Sequence, residues 1–200
     1  METGLGYGAH RLEAPTVFTS LDKRVKALVV QLTFASGERM IAGELEEEER
    51  NKLASTLQKA QERAVTKNKV LRLNPEQILT DKESQAFYAE MVKLHPTLQT
   101  KIPFTTLQHI REHNPQNVIA NVTCPILIIA AEDDTVCPAH ESQILFESAN
   151  EPKQLIMLER CKHYDAYEPP PFEKGVQSTI AWFSQYLNAE VKTDTIPKKG

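Results

Sequence analysis

The sequence predicts an α/β fold built on a parallel sheet, and three features carry that expectation. Residues 25–34 (VKALVVQLTF) and 125–131 (PILIIAA) are mostly apolar runs of strand length, the pattern of strands covered on both faces. Residues 153–159 (KQLIMLE) form a further strand-length run. From residue 125 to 187 the order is strand, helix, strand, helix. Connections of that length imply right-handed crossovers between parallel strands.

Each element has its own local reason. Residues 4–10 are glycine-rich and precede the first apolar run. Residues 37–113 read as a mainly helical insertion, a cap, inside one domain spanning residues 1–200. In it, the acidic run Glu44–Glu49 is a solvated helix start, since negative charge suits a helix N-terminus. Leu53, Leu57, Ala60 and Ala64 then recur at helical spacing. A second helix over Lys82–Leu94 places Phe87, Met91 and Leu94 on one face, and Pro75, Pro96 and Pro103 punctuate the segments. Beyond the strand at 125–131 comes a polar turn, 132–138, and a helix over 139–149. The closing helix, 172–187, is amphipathic, with Val176, Ile180, Phe183 and Leu187 on one stripe and Trp182 on its core face. Residues 189–200 are polar and read as a frayed tail.

Composition narrows the function classes. Of 200 residues, 40% are hydrophobic and 25% charged, with a formal net charge of −4 at pH 7. That balance suits a soluble globular protein and argues against nucleic acid or an anionic membrane as partner. No apolar run approaches the ~20 residues that span a bilayer. The first residues lack the basic and apolar regions of a signal peptide. Three cysteines, Cys124, Cys137 and Cys161, are an odd count that favours reduced thiols and a cytoplasmic location. Their spacing fits no zinc pattern, and His109 and His113, four apart, have no carboxylate pattern beside them. No metal or organic cofactor is expected.

In open parallel sheets the working side chains sit in loops at the carboxyl ends of strands. Two such loops carry chemistry here. Asp134 follows the strand at 125–131, and His163 follows the strand at 153–159. An acid that orients an imidazole, and an imidazole that moves a proton, are the catalytic partners of a nucleophilic hydroxyl. The plainer readings are a turn carboxylate and a surface-loop histidine. Glu132 and Asp133 compete with Asp134, and the distance to Pro138 selects Asp134.

Residues 125–138, the histidine loop CKHYDAYE at 161–168 and the stretch DKRVKALVVQ at 22–31 resemble α/β-hydrolases. The closest likeness is to fungal members of the dienelactone-hydrolase and polyketide-transferase kind, from secondary-metabolite and toxin pathways, over about residues 4–188. The resemblance implies a partial α/β-hydrolase fold whose triad runs nucleophile, acid, histidine along the chain. It implies a serine-type hydrolase or acyltransferase for ester or thioester substrates, with Asp134 orienting the base His163. Phe87, Met91 and Phe104 of the cap suit a lipophilic acyl group. The nucleophile elbow departs from the family. Its window is Gly4-Leu5-Gly6-Tyr7-Gly8, with glycine where serine belongs, and His10 flanks it. The chain reads as starting at the elbow, without the earlier strands that supply part of the oxyanion hole. Ser36 lies one strand too late and reads as a turn residue. The contrasting expectations are a non-catalytic binding protein, whose exposed sheet edge beside residues 25–34 invites a homodimer or another partner, and a truncated gene product.

Overall fold

The computed structural model describes residues 14–43, 45–79 and 81–187. The glycine-rich start, His10 and the tail at 189–200 lie outside the described residues. Helix α1 (Ala14–Leu21) leads into strand β1 (Leu28–Gln31). Between β1 and the next strand of the main sheet come α2 (Gly37–Ala42), α3 (Glu47–Lys67), β2 (Arg72–Leu73), α4 (Lys82–Leu94), β3 (Ile102–Pro103) and α5 (Thr106–Glu112). Then follow β4 (Ile126–Ala131), α6 (Ala139–Ser148), β5 (Lys153–Leu158) and α7 (Pro171–Leu187).

The main sheet is parallel, in the order β1-β4-β5, and β2 pairs with β3 as a separate two-residue antiparallel ladder. Strand β4 is flanked on both edges, and all six of its residues are buried. This accounts for its unbroken apolar sequence, because neither face meets water. Its side chains divide between two cores. Ile126 and Ile128 join Leu28, Val30, Ile119, Val122 and Leu145 under α6, while Leu127 and Ile129 join Leu158, Cys161 and Trp182 under α7. The sheet therefore lies between helix layers, in the three-layer arrangement that the strand–helix alternation implies. Residue pairs Leu28↔Ile126 and Ala131↔Leu158 fix the register across all three strands.

The segment between β1 and β4 is helical, as its periodicity predicts. Helix α3 buries Leu57 completely and leaves its charged positions exposed. It starts with a capping box between Glu46 and Glu49 and ends on Asn68 in the left-handed conformation (φ 48°), a conformation that asparagine tolerates. Helix α2 lies so close to α5 that a β-carbon on Gly37 would fall 1.7 Å from the Ile110 carbonyl oxygen, so only glycine fits there. Among the described residues, no helix is long and apolar enough to cross a membrane.

One sequence expectation is corrected. Val176, Ile180 and Leu187 do not form the buried stripe of α7. Ile180 is 60% exposed and Val176 38%, whereas Gly175 and Trp182 are buried. The helix is rotated because Trp182 fills the core under β4 and Gly175 lies against the Gln31 side chain. Burying the largest side chain outweighs burying the aliphatic row.

The loop after β1 is held by a buried carboxylate. Glu141, on α6, accepts hydrogen bonds from the backbone N–H groups of Ala35 (2.8 Å) and Ser36 (3.0 Å) and from the Arg39 guanidinium (2.6 Å at Nε). Burial pushes its carboxyl up, but these donors outweigh that and hold it below the ordinary carboxylate range. Replacing Glu141 with alanine is expected to cost about 3 kcal/mol in chemical denaturation, because it orphans two buried N–H groups and an arginine. A folded pKa below the unfolded one means that the stabilisation is complete above the unfolded value and fades as pH falls through the folded one. Wild-type stability should thus fall below about pH 4, and Glu141→Gln should show a shallower fall over that window.

Candidate functional site

The carboxyl ends of β4 and β5 lie side by side because the two strands are in register. Backbone bonds continue the stitching past the strands: Glu132 N–H donates to the Leu158 carbonyl (3.0 Å) and Asp133 N–H to the Cys161 carbonyl (2.9 Å). The Glu132 carboxylate accepts from Arg160 N–H at 2.8 Å, across a turn in which Arg160 takes a left-handed φ of 50°. Glu132, considered above as a rival acid, is thus a brace for the histidine loop.

This stitching brings Asp134 and His163 together. Asp134 Oδ2 lies 2.8 Å from His163 Nδ1, and both residues are buried, at 5% and 2% exposure. The other carboxylate oxygen, Oδ1, accepts from Val136 N–H (2.8 Å) and Cys137 N–H (2.7 Å). The acid-loop backbone therefore fixes the carboxylate and leaves Oδ2 for the ring. A carboxylate accepts, so Nδ1 donates to Oδ2 and the ring's second nitrogen, Nε2, is directed away from the acid. Nε2 is buried and has no hydrogen-bond partner among the described residues. His113 Nε2 and Trp182 Nε1 are left in the same way, so Nε2 of His163 is singled out by the carboxylate behind its ring together with the missing partner.

Aromatic side chains wall the histidine. The rings of Tyr164 and Tyr167 meet it edge-on, with centroids at 4.9 and 6.3 Å. Burial pushes both phenols up, that of Tyr167 to about 12, so neither ionises near neutrality. Helix α4 closes over this wall. Phe87 stacks on Tyr164 at 4.0 Å, the Tyr164 hydroxyl donates to Ser84 Oγ (2.9 Å), and Glu83 accepts from the Thr135 hydroxyl (3.0 Å) and from Tyr164 N–H (3.4 Å). Glu83 thereby bridges the residues next to Asp134 and His163. Sequence reasoning missed Glu83 and Ser84, because nothing local marks a helix's first turn as reaching two loops far along the chain.

Ser36, the serine nearest a strand end in the sequence, is otherwise engaged. Ser36 caps α2, accepting from Arg39 N–H and donating to Asn114 Oδ1 at 2.8 Å. It is the turn residue its position suggests. The glycine window at 4–8, where the elbow is expected, lies outside the described residues. Among the described residues no group of three or more His, Cys, Asp or Glu is placed to hold a metal ion.

Comparison with known proteins adds a family. The family described as serine aminopeptidase, S33, matches residues 29–170. An uncharacterised 31.7 kDa Escherichia coli protein from the traX-finO intergenic region is 34% identical over 186 residues, covering 92% of this chain and 63% of that protein. The chain thus spans less than two thirds of its relative's length. Among solved structures, the α/β-hydrolase GrgF of a Penicillium species superposes with a TM-score of 0.68 at 17% identity, over 88% of this chain and 61% of that one. DcsB in complex with its substrate analogue gives 0.70 at 21%, over 87% and 62%. At these identities the likeness establishes the fold.

The α4 contacts make a measurable prediction. Removing the Phe87–Tyr164 stack and the Tyr164 hydrogen bond, by Phe87→Ala with Tyr164→Phe, should weaken the closure by ~2 kcal/mol. Modification of His163 by diethyl pyrocarbonate, mapped by mass spectrometry, should then speed up more than about tenfold.

Proposed function

Because this chain belongs to the serine aminopeptidase S33 family of α/β-hydrolases, we propose that Asp134 and His163 are the acid and base of a serine-type site for acyl transfer or hydrolysis at ester or thioester bonds. The observation that carries this reading is the buried Asp134 Oδ2–His163 Nδ1 hydrogen bond, with the carboxylate pinned from behind and Nε2 left for a proton. In such a site Nε2 takes the nucleophile's proton during attack and returns it to the leaving group, while the acid holds the tautomer and stabilises the imidazolium.

The nucleophile is the open part. The hydroxyls of Ser36 and Ser84 are bonded elsewhere, and the sequence puts Gly6 where the family has serine. The chain by itself therefore carries the acid–base half of the site and turns over little substrate through a triad. The helical segment 37–113 acts as a cap that sets substrate choice. Phe87, Met91 and Phe104, all partly buried, favour a lipophilic acyl group. A polyketide-like ester or thioester of fungal secondary metabolism is the finer reading, and it rests on the sequence likeness of residues 22–31, 125–138 and 161–168.

A second reading, a non-catalytic binding protein, draws on the same unpartnered Nε2 and on the closed aromatic wall around it. The two part on one experiment. Labelling with a fluorophosphonate probe is expected to be absent in the wild-type chain and to appear in Gly6→Ser, then to vanish when His163→Ala is added. No labelling of Gly6→Ser in a cooperatively folded protein would favour the binding reading. Stoichiometric labelling of wild type, lost in His163→Ala, would mean that a serine excluded above is the nucleophile.

A further inference from the structure

The loops that carry Asp134 and His163 are tied to each other at two levels. The lower level lies next to the strand ends, in the backbone bonds from Glu132 and Asp133 to the Leu158 and Cys161 carbonyls. Those bonds stop short of the pair. Beyond them, carboxylates hold alternate N–H groups of the histidine loop: Arg160 on Glu132 (2.8 Å), Lys162 on Asp165 (3.1 Å) and Tyr164 on Glu83 (3.4 Å). Glu132 belongs to the acid loop and Asp165 to the histidine loop itself. Glu83 comes from α4, 81 positions from Tyr164 in the chain.

The upper level runs through Glu83. Its Oε2 accepts from the Thr135 hydroxyl at 3.0 Å, and its Oε1 accepts from Tyr164 N–H. Thr135 is the residue after Asp134, and Tyr164 the residue after His163. One carboxylate thus spans the two loops a single residue beyond the 2.8 Å bond between Asp134 Oδ2 and His163 Nδ1. The span has a firm base. Asp81 Oδ1 caps α4 by accepting from Ser84 N–H (2.6 Å), and the buried Ser84 takes the Tyr164 hydroxyl. The first turn of α4 is therefore anchored by groups other than Glu83.

We propose that Glu83 is a positioning residue for the Asp134–His163 pair, setting with one oxygen on each loop the separation at which the acid holds the imidazole. This role rests on the reading of that pair as acid and base. A carboxylate suits it, because it offers two acceptor oxygens in one rigid group and its hydrogen bonds are stronger than those of a neutral acceptor. The two loops depend on it unequally. Asp134 keeps the Val136 and Cys137 N–H groups behind it, whereas the histidine loop loses the N–H anchor that follows His163. Glutamine can replace the span without its charge: Oε1 accepts from Tyr164 N–H while the amide nitrogen donates to Thr135 Oγ1, since a hydroxyl accepts as well as donates. Alanine cannot.

The His163 Nδ1 hydrogen, shared with Asp134, should give a low-field proton resonance that reports on the pair in the full 200-residue chain, with no substrate or nucleophile needed. In Glu83→Ala its exchange with water should quicken by about tenfold or more, with circular dichroism and cooperative unfolding retained, and in Glu83→Gln it should stay within about twofold of wild type. Thr135→Val, which cuts the acid-loop arm alone and keeps the side-chain shape, should give an intermediate rate. Ser84→Ala weakens the docking of α4 but leaves the span, and should behave as wild type. Wild-type exchange in both Glu83→Ala and Thr135→Val would overturn the proposal. So would an equal acceleration in Ser84→Ala, which would assign the effect to the docking of α4 as a whole. A wild-type chain without the low-field resonance would overturn the acid–base pair and this role together, whereas a wild-type resonance indifferent to Glu83 would overturn this role alone.

Discussion

Among the described residues strand β4 is the one element bonded on both edges and covered on both faces, and its parallel register with β5 is the constraint on which the site depends. With Ala131 opposite Leu158, the two strands end together, and the loops that follow leave the sheet at the same level. A shift of one residue in that register would turn every β4 side chain to the wrong core and move Asp134 off His163. The apolar run at 125–131 thus does two jobs. It buries enough surface to fix the centre of the sheet, and it sets the position of a polar pair that lies outside it.

The polar pair is costly to bury, and the acid offsets its share of that cost through its hydrogen bonds. Asp134 accepts three hydrogen bonds, two from its own loop and one from the histidine. Glu141, in the first turn of α6, follows the same logic: two backbone N–H groups and an arginine surround one carboxylate. The two buried acids differ in what they serve. Glu141 has every neighbour it needs within the fold. The Asp134 network ends at His163 Nε2, an atom with no partner among the described residues. That asymmetry is the structural difference between the two buried acids.

The helix packed over the site deepens this picture. Helix α4 reaches the acid loop through Glu83 and Thr135 and the histidine loop through Ser84, Phe87 and Tyr164. The first residues of α4 therefore tie the helical segment between β1 and β4 to both members of the pair. Family membership fits a site of this construction, in a chain that spans 63% of the length of the relatives it matches.

By itself the sequence determined the strand and helix order, the buried character of 125–131 and the choice of Asp134 and His163 as strand-end residues. All of these follow from local periodicity and from counting along a few neighbouring positions. It could state Ser36's role as a turn residue, because a serine just ahead of a helix has few other uses. Only the tertiary structure decided which face of α7 is buried, since the period of Val176, Ile180 and Leu187 is equally good on either side until Trp182 and Gly175 take their places. Only it could turn Glu132 from a rival acid into a brace, and bring Glu83 and Ser84 to loops far along the chain. These contacts join residues that no periodicity relates, and packing alone places them.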